Sequence, residues 1–175
     1  MIVIYMTSEN TFTITDIRST PPDVLYPNYK YCVWLLPQGN YWYNINKSIV
    51  PHMSVKTHLS LSDAINLQSA LKKSLNHQSI NVLMDRNFVI DSDDNGFTAL
   101  EYMLYYSADN IKKKPEWWPE NAHMSFIYKY NQDISENEKK YMKKCVNRSF
   151  LTFGNPCIVL CKGHHTKWEF VKTQQ

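Results

Sequence analysis

Along this chain apolar residues come in short bursts with a two-residue rhythm, broken by polar stretches carrying Pro, Asn or Gly; two segments show a helical period instead. Residues 1–6 are β-rich and alternate weakly, while residues 7–28, with Pro21-Pro22 and Pro27, read as loop. Tyr31-Cys32-Val33-Trp34-Leu35-Leu36 predicts a short buried strand closed by Pro37 and Gly39, and residues 51–60 a second strand. Ser62-Asp63 opens a helix running to about Asn76, with Ala64, Leu67, Leu71 and Leu75 on one face. Residues 80–90 are strand-like, with a turn around Asp85-Arg86-Asn87.

The second half repeats this order. Residues 98–107 are apolar and aromatic, with a period that fits strand or helix, and a loop carrying Lys112-Lys113-Lys114-Pro115 and Trp117-Trp118-Pro119 follows. Residues 123–130 form a strand, and a Ser-x-x-Glu capping box (Ser135, Glu138) begins a helix to about Asn147. Residues 150–153, 157–162 and 168–172 read as short strands, the last two joined by a turn around Gly163. Each half therefore runs strand, loop, strand beginning His-Met-Ser, helix, strand. His52 lies ten residues ahead of Ser62, and His123 twelve ahead of Ser135. A repeat of this length predicts a pseudo-symmetric α+β fold: one domain of two lobes, about 29–92 and 97–175, with residues 1–28 a loop-rich start.

The repeated element carries chemistry. Residues i and i+2 of a strand point to one face, so His-x-Ser sets an imidazole beside a hydroxyl. His52 and Ser54, facing His123 and Ser125 across a groove, supply what phosphodiester cleavage needs. One neutral imidazole takes a proton from water and one protonated imidazole gives a proton to the leaving oxygen, while the hydroxyls bond the non-bridging phosphoryl oxygens. Such a site needs neither metal nor cofactor. On a regular strand Lys56 and His58 share the parity of His52, and Lys129 that of His123, which makes these three candidate substrate contacts; Tyr128 and Tyr130 fall on the other parity. His58-Leu59-Ser60 is a rival triplet, but it lies too close to the helix to match the second repeat.

Composition narrows the setting. No apolar run approaches the roughly 18 residues that span a bilayer, and the first residues lack a signal-peptide pattern, so a cytoplasmic monomer is expected. A net charge of +3 suits a small anionic ligand or short nucleic acid and falls short of the basic stripe of a duplex binder. Cys32, Cys145, Cys157 and Cys161 are too few for a disulfide framework and read as structural thiols.

The strings Pro51-His52-Met53-Ser54-Val55 and Ala122-His123-Met124-Ser125-Phe126-Ile127-Tyr128 resemble the paired His-x-Ser/Thr signatures of the two-histidine (2H) phosphoesterase superfamily, most of all its cyclic phosphodiesterases. Tyr31 to Pro37 resembles their first strand, and the likeness spans about residues 29–172. It implies a bilobal fold with two antiparallel sheets flanking a central groove and helices outside, and a strand over 98–107. It also implies metal-independent hydrolysis of 2′,3′-cyclic phosphates or 2′-5′ linkages in nucleotides or short RNA. Two alternatives stay open: a viral or phage enzyme degrading cyclic oligonucleotide or 2′-5′ oligoadenylate signals in the host cytoplasm, and a non-catalytic nucleotide-binding module.

Other signals read as structural. Asp91-Ser92-Asp93-Asp94-Asn95-Gly96 imitates a calcium loop but has Tyr102 where the twelfth-position acid belongs, so it reads as an acidic connection between lobes. Lys112-Lys113-Lys114 beside Trp117-Trp118 reads as a solvated charge run next to packed rings, although it could border the groove. His164 and His165 sit in a tight turn and take no role.

Overall fold

A computed structural model describes residues 2–6, 12–16, 30–93, 96–110, 113–161 and 165–172. Its elements in chain order are strands β1 (Ile2–Met6), β2 (Phe12–Asp16), β3 (Lys30–Pro37) and β4 (Met53–Leu59), helix α1 (Leu61–Leu75), strands β5 (Ile80–Ser92), β6 (Phe97–Tyr106) and β7 (His123–Tyr130), helix α2 (Glu136–Cys145), and strands β8 (Phe150–Cys161) and β9 (Glu169–Lys172). The fold is α+β, and every strand pairing is antiparallel.

The strands form one sheet of nine in the order β2-β1-β9-β8-β3-β4-β7-β6-β5, not the two separate sheets expected. Strand β8 also pairs with β5, so β8-β3-β4-β7-β6-β5 closes into a hydrogen-bonded ring of six. Closure is possible because β8 is long. Its first residues, Phe150 to Phe153, take β5, while Ile158 to Leu160 take β9 on the same edge and β3 occupies the other. Strands β4 and β7 are neighbours, and Met53 lies opposite Met124.

Several sequence expectations shift. Phe12–Asp16 is a strand inside the stretch read as loop; Phe-Thr-Ile-Thr alternates with β-branched residues, a signal the prolines further on obscured. Residues 150–153 and 157–161 are one strand, because Gly154-Asn155-Pro156 is absorbed as a bulge against β3 with Asn155 in the left-handed region. Helix α1 starts earlier than Ser62: Ser60 is the cap, its Oγ accepting from Asp63 N at 3.1 Å. Asp91 and Ser92 end β5 and pair with Ala99 and Thr98 of β6, and Asp94 and Asn95 lie outside the described residues. There Asp93 Oδ1 accepts from Phe97 N at 2.9 Å. The turn at Gly163, with His164, lies outside the described residues.

One face of the sheet carries the main core. Tyr31, Val33, Leu35, Met53, Leu100, Tyr102 and Met124 pack with Ala64 and Leu71 of α1 and Met142 of α2. Alternation sends Cys32, Trp34 and Val159 to the opposite face, where they form a second apolar cluster with Trp168 and Phe170 packed against it. Among the described residues no helix is long and apolar enough to cross a membrane.

Candidate active site

The pairing of Met53 with Met124 fixes the geometry. In an antiparallel ladder the flanking positions exchange partners, so His52 falls opposite Ser125 and Ser54 opposite His123. Both methionines are fully buried in the core, which turns all four flanking side chains to the other face. The two triplets are thus related by an approximate two-fold through the Met53–Met124 pair.

Each imidazole is held in the same way. His52 Nδ1 lies 2.7 Å from the carbonyl of Val50, and His123 Nδ1 lies 2.9 Å from that of Asn121, in both cases the residue two before. A carbonyl only accepts, so each Nδ1 carries hydrogen and each Nε2 is left for chemistry. The environments otherwise differ. His52 is buried and stacks on Trp34 with ring centroids 3.5 Å apart and 11° between planes. Desolvation pulls its imidazole down from the ordinary 6.5 to about 4, the charge of His123 adding to this and the Val50 bond opposing it. His52 is therefore neutral at neutral pH. His123 is half-exposed, and its Nε2 stands 3.4 Å from Glu101 Oε1.

Glu101 of β6 faces Ser125 in register, and Ser125 Oγ donates to Glu101 Oε1 at 3.0 Å. This carboxylate is buried, and burial, the largest influence, raises it above its ordinary value; His123 and Ser125 pull the other way. Sequence reasoning passed over Glu101. The available signal was a lone carboxylate inside the apolar run Thr98-Ala99-Leu100-Glu101-Tyr102-Met103-Leu104, a place where an acid persists only with partners.

Parity misplaced two other residues. Between Ser125 and Ile127 the β6–β7 register slips by one, leaving Phe126 as the extra residue, and Phe126 and Ile127 both enter the core. Beyond the bulge the faces invert. Tyr128 turns to the groove side, where its phenol interacts with Ser125 and is pushed up by burial, while Lys129 turns away and pairs with Glu138 Oε1 at 2.7 Å. Lys129 thus braces the capping box of α2, in which Glu138 also accepts from Ser135 N at 2.9 Å. Between the Trp34–Ser54 and Tyr31–Leu59 pairs, four residues of β4 (55–58) pass against two of β3 (32–33). The slippage ends the parity that tied Lys56 and His58 to His52: both are exposed, and His58 has φ +59°.

Beside His52 opens a cavity of about 540 Å³, walled by Trp34, Tyr128, Trp168 and Phe170 and bordered by Lys47 and His165. Trp168 stands edge-on to both Trp34 and Tyr128, at 5.6 and 5.8 Å. His165, given no role from sequence, lines this space against Tyr128 at 5.2 Å. Lys113 and Trp117 instead line a different cavity near the end of α1, where Trp117 Nε1 donates to Ser74 Oγ at 3.3 Å. The four cysteines are free thiols; Cys161 Sγ lies 3.1 Å from Cys32 Sγ, and Cys157 Sγ donates to the carbonyl of Trp34. Among the described residues no three His, Cys, Asp or Glu side chains converge as a metal site.

No family model and no curated protein matches the chain. Among solved structures it is similar to Usb1 of Kluyveromyces marxianus with uridine monophosphate, at 11% identity and a TM-score of 0.35, over 69% of this chain and 81% of that one.

Proposed function

We propose that this protein is a phosphodiesterase that opens 2′,3′-cyclic phosphates or cleaves 2′-5′ linkages in nucleotides or short RNA by histidine acid–base catalysis. The observation that carries the reading is the pair of His-Met-Ser triplets set face to face about Met53 and Met124, each imidazole held by the carbonyl two residues before it.

The unequal burial of the imidazoles supports a division of roles. His52, neutral at neutral pH, takes a proton from water through Nε2 as the water oxygen attacks phosphorus. His123 gives a proton to the departing ribose oxygen as its bond to phosphorus breaks, yielding a phosphomonoester and a free hydroxyl. The hydroxyls of Ser54 and Ser125 bond the non-bridging oxygens, where charge builds. The aromatic cavity beside His52 suits a nucleobase, since its volume is ordinary for a ligand site and every base offers a ring face for stacking.

The test is incubation of the purified protein with nucleoside 2′,3′-cyclic phosphates, 2′-5′ oligoadenylate and cyclic dinucleotides, with product identification. His52→Ala and His123→Ala are expected to abolish turnover while thermal unfolding stays cooperative, and EDTA to leave the rate unchanged. Full activity in the double variant refutes the reading. Tight nucleotide binding by the wild type without turnover at any pH favours a binding module instead.

A further inference from the structure

Ser125 presents a difficulty for a phosphate site. Its hydroxyl hydrogen is directed at Glu101 Oε1, 3.0 Å away in a buried position, and the Tyr128 phenol also interacts with Ser125. With Glu101 ionised, an incoming phosphoryl oxygen meets lone pairs on Ser125 and a carboxylate behind them. The groups that face Glu101 are His123, Ser125 and Tyr128 of β7 and, by its charge, Asp91 of β5. Among these only His123 can offset a phosphate's charge, and it already stands against Glu101.

We propose that Glu101 is a positioning residue that sets the direction of the Ser125 hydroxyl and couples phosphodiester binding to the uptake of one proton by the Glu101–His123 pair. Holding one proton, the pair is neutral overall. A second proton gives it a single positive charge that matches the single negative charge of a phosphodiester. It also converts the Glu101 carboxylate into a carboxylic acid whose O–H donates to Ser125 Oγ. The Ser125 hydrogen is then released to the phosphoryl oxygen. Burial, which raises the Glu101 carboxyl above its ordinary value, favours the protonated form that this step needs. The inference rests on the phosphodiesterase reading and adds a residue and a proton to it.

The experiment is calorimetric titration of a nucleoside 2′-monophosphate into the wild type, Glu101→Gln, Ser125→Ala and the double variant. Buffers of different ionisation enthalpy at several pH values from 5.5 to 8.5 give the protons taken up on binding. Phosphorus NMR follows the ligand's own titration free and bound to each protein, and its share is subtracted from the count. The wild type is expected to take up about one proton more than Glu101→Gln in part of this range, and to lose affinity relative to it by up to about tenfold per pH unit above the titration of the pair. In the Ser125→Ala background the Gln substitution is expected to change affinity less than in the wild type, because the two residues act through one bond. In the wild type alone, a protonated-carboxyl C=O band is expected in the infrared difference spectrum on binding, which tests the idea even if Glu101→Gln fails to fold. Equal proton counts at every pH, or no carboxyl band, overturn the proposal while leaving the hydrolysis assay intact. Failure of the wild type both to bind nucleotide and to turn it over overturns this proposal and the phosphodiesterase reading together.

Discussion

Replacing Trp34 by Ala tests the central electrostatic claim, that His52 acts as base because the Trp34 ring keeps water from it. The stack at 3.5 Å and the burial of His52 accompany a fall from 6.5 to about 4, worth about 3 kcal/mol against the charged form. If removing the ring restores ordinary hydration, the neutral fraction at pH 5 falls from about 90% to about 3%, a loss of about 30-fold in competent enzyme, whereas at pH 7 the loss from protonation is only about 1.3-fold. The defect in kcat/KM is therefore expected to deepen on the acid side, and Trp34→Phe to stay near wild type. Stability follows the same linkage. The folded value lies below the unfolded one, so the unfolded chain binds more protons between about pH 6.5 and 4, and the fold loses up to about 3 kcal/mol as pH falls through that window. NMR titration of the His52 ring in the wild type and both variants reads the equilibrium directly, with circular dichroism confirming that each is folded. A wild-type midpoint near 6.5, or a Trp34→Ala midpoint still near 4, refutes the reasoning.

Lys129→Met removes the ion pair with Glu138, both partners being about one-third exposed or less; stability is expected to drop by less than about 1 kcal/mol with kcat/KM unchanged, measured by urea unfolding and steady-state assay. Ser135→Ala breaks the capping box of α2 and is expected to cost about 1 kcal/mol in the same unfolding measurement. Met53→Ala empties a fully buried position where β4 pairs with β7 and is expected to cost about 2–5 kcal/mol by chemical denaturation, lowering activity as well because both triplets flank that pairing.

What could be read from the sequence divides on physical grounds. Helix α2 carried its own start signal in Ser135 and Glu138, and the strands holding His52 and His123 carried plain alternation, because both signals are local. The parity of Lys56, His58, Tyr128 and Lys129 was misread because a bulge is a property of two paired strands. Nothing in Ser125-Phe126-Ile127 shows that β6 will leave Phe126 without a partner. Closure of the ring depends in the same way on β8 meeting β5, a pairing of residues 150–153 with residues 80–83 that no window of sequence contains. The stack of Trp34 on His52 and the bond from Ser125 to Glu101 are likewise contacts between strands, so the residues that tune the site were less visible than those that define it.

The ring of six strands also governs how the protein reaches its native state. Strand β3 lies more than 100 residues before its partner β8, so the sheet cannot close until chain segments far apart in sequence have met. Loop closure of that length lowers entropy before any contact repays it, which places folding with the slow, high-contact-order proteins at about milliseconds to seconds. Trp34, on β3, meets Trp168 only once β8 has docked and carried the following turn into place. The Trp34–His52 stack needs only the neighbouring strands β3 and β4, whereas the Trp168 and Phe170 side of the cavity waits for β8 and β9, so a partly folded chain can hold both His-Met-Ser triplets with the aromatic wall beside His52 still open.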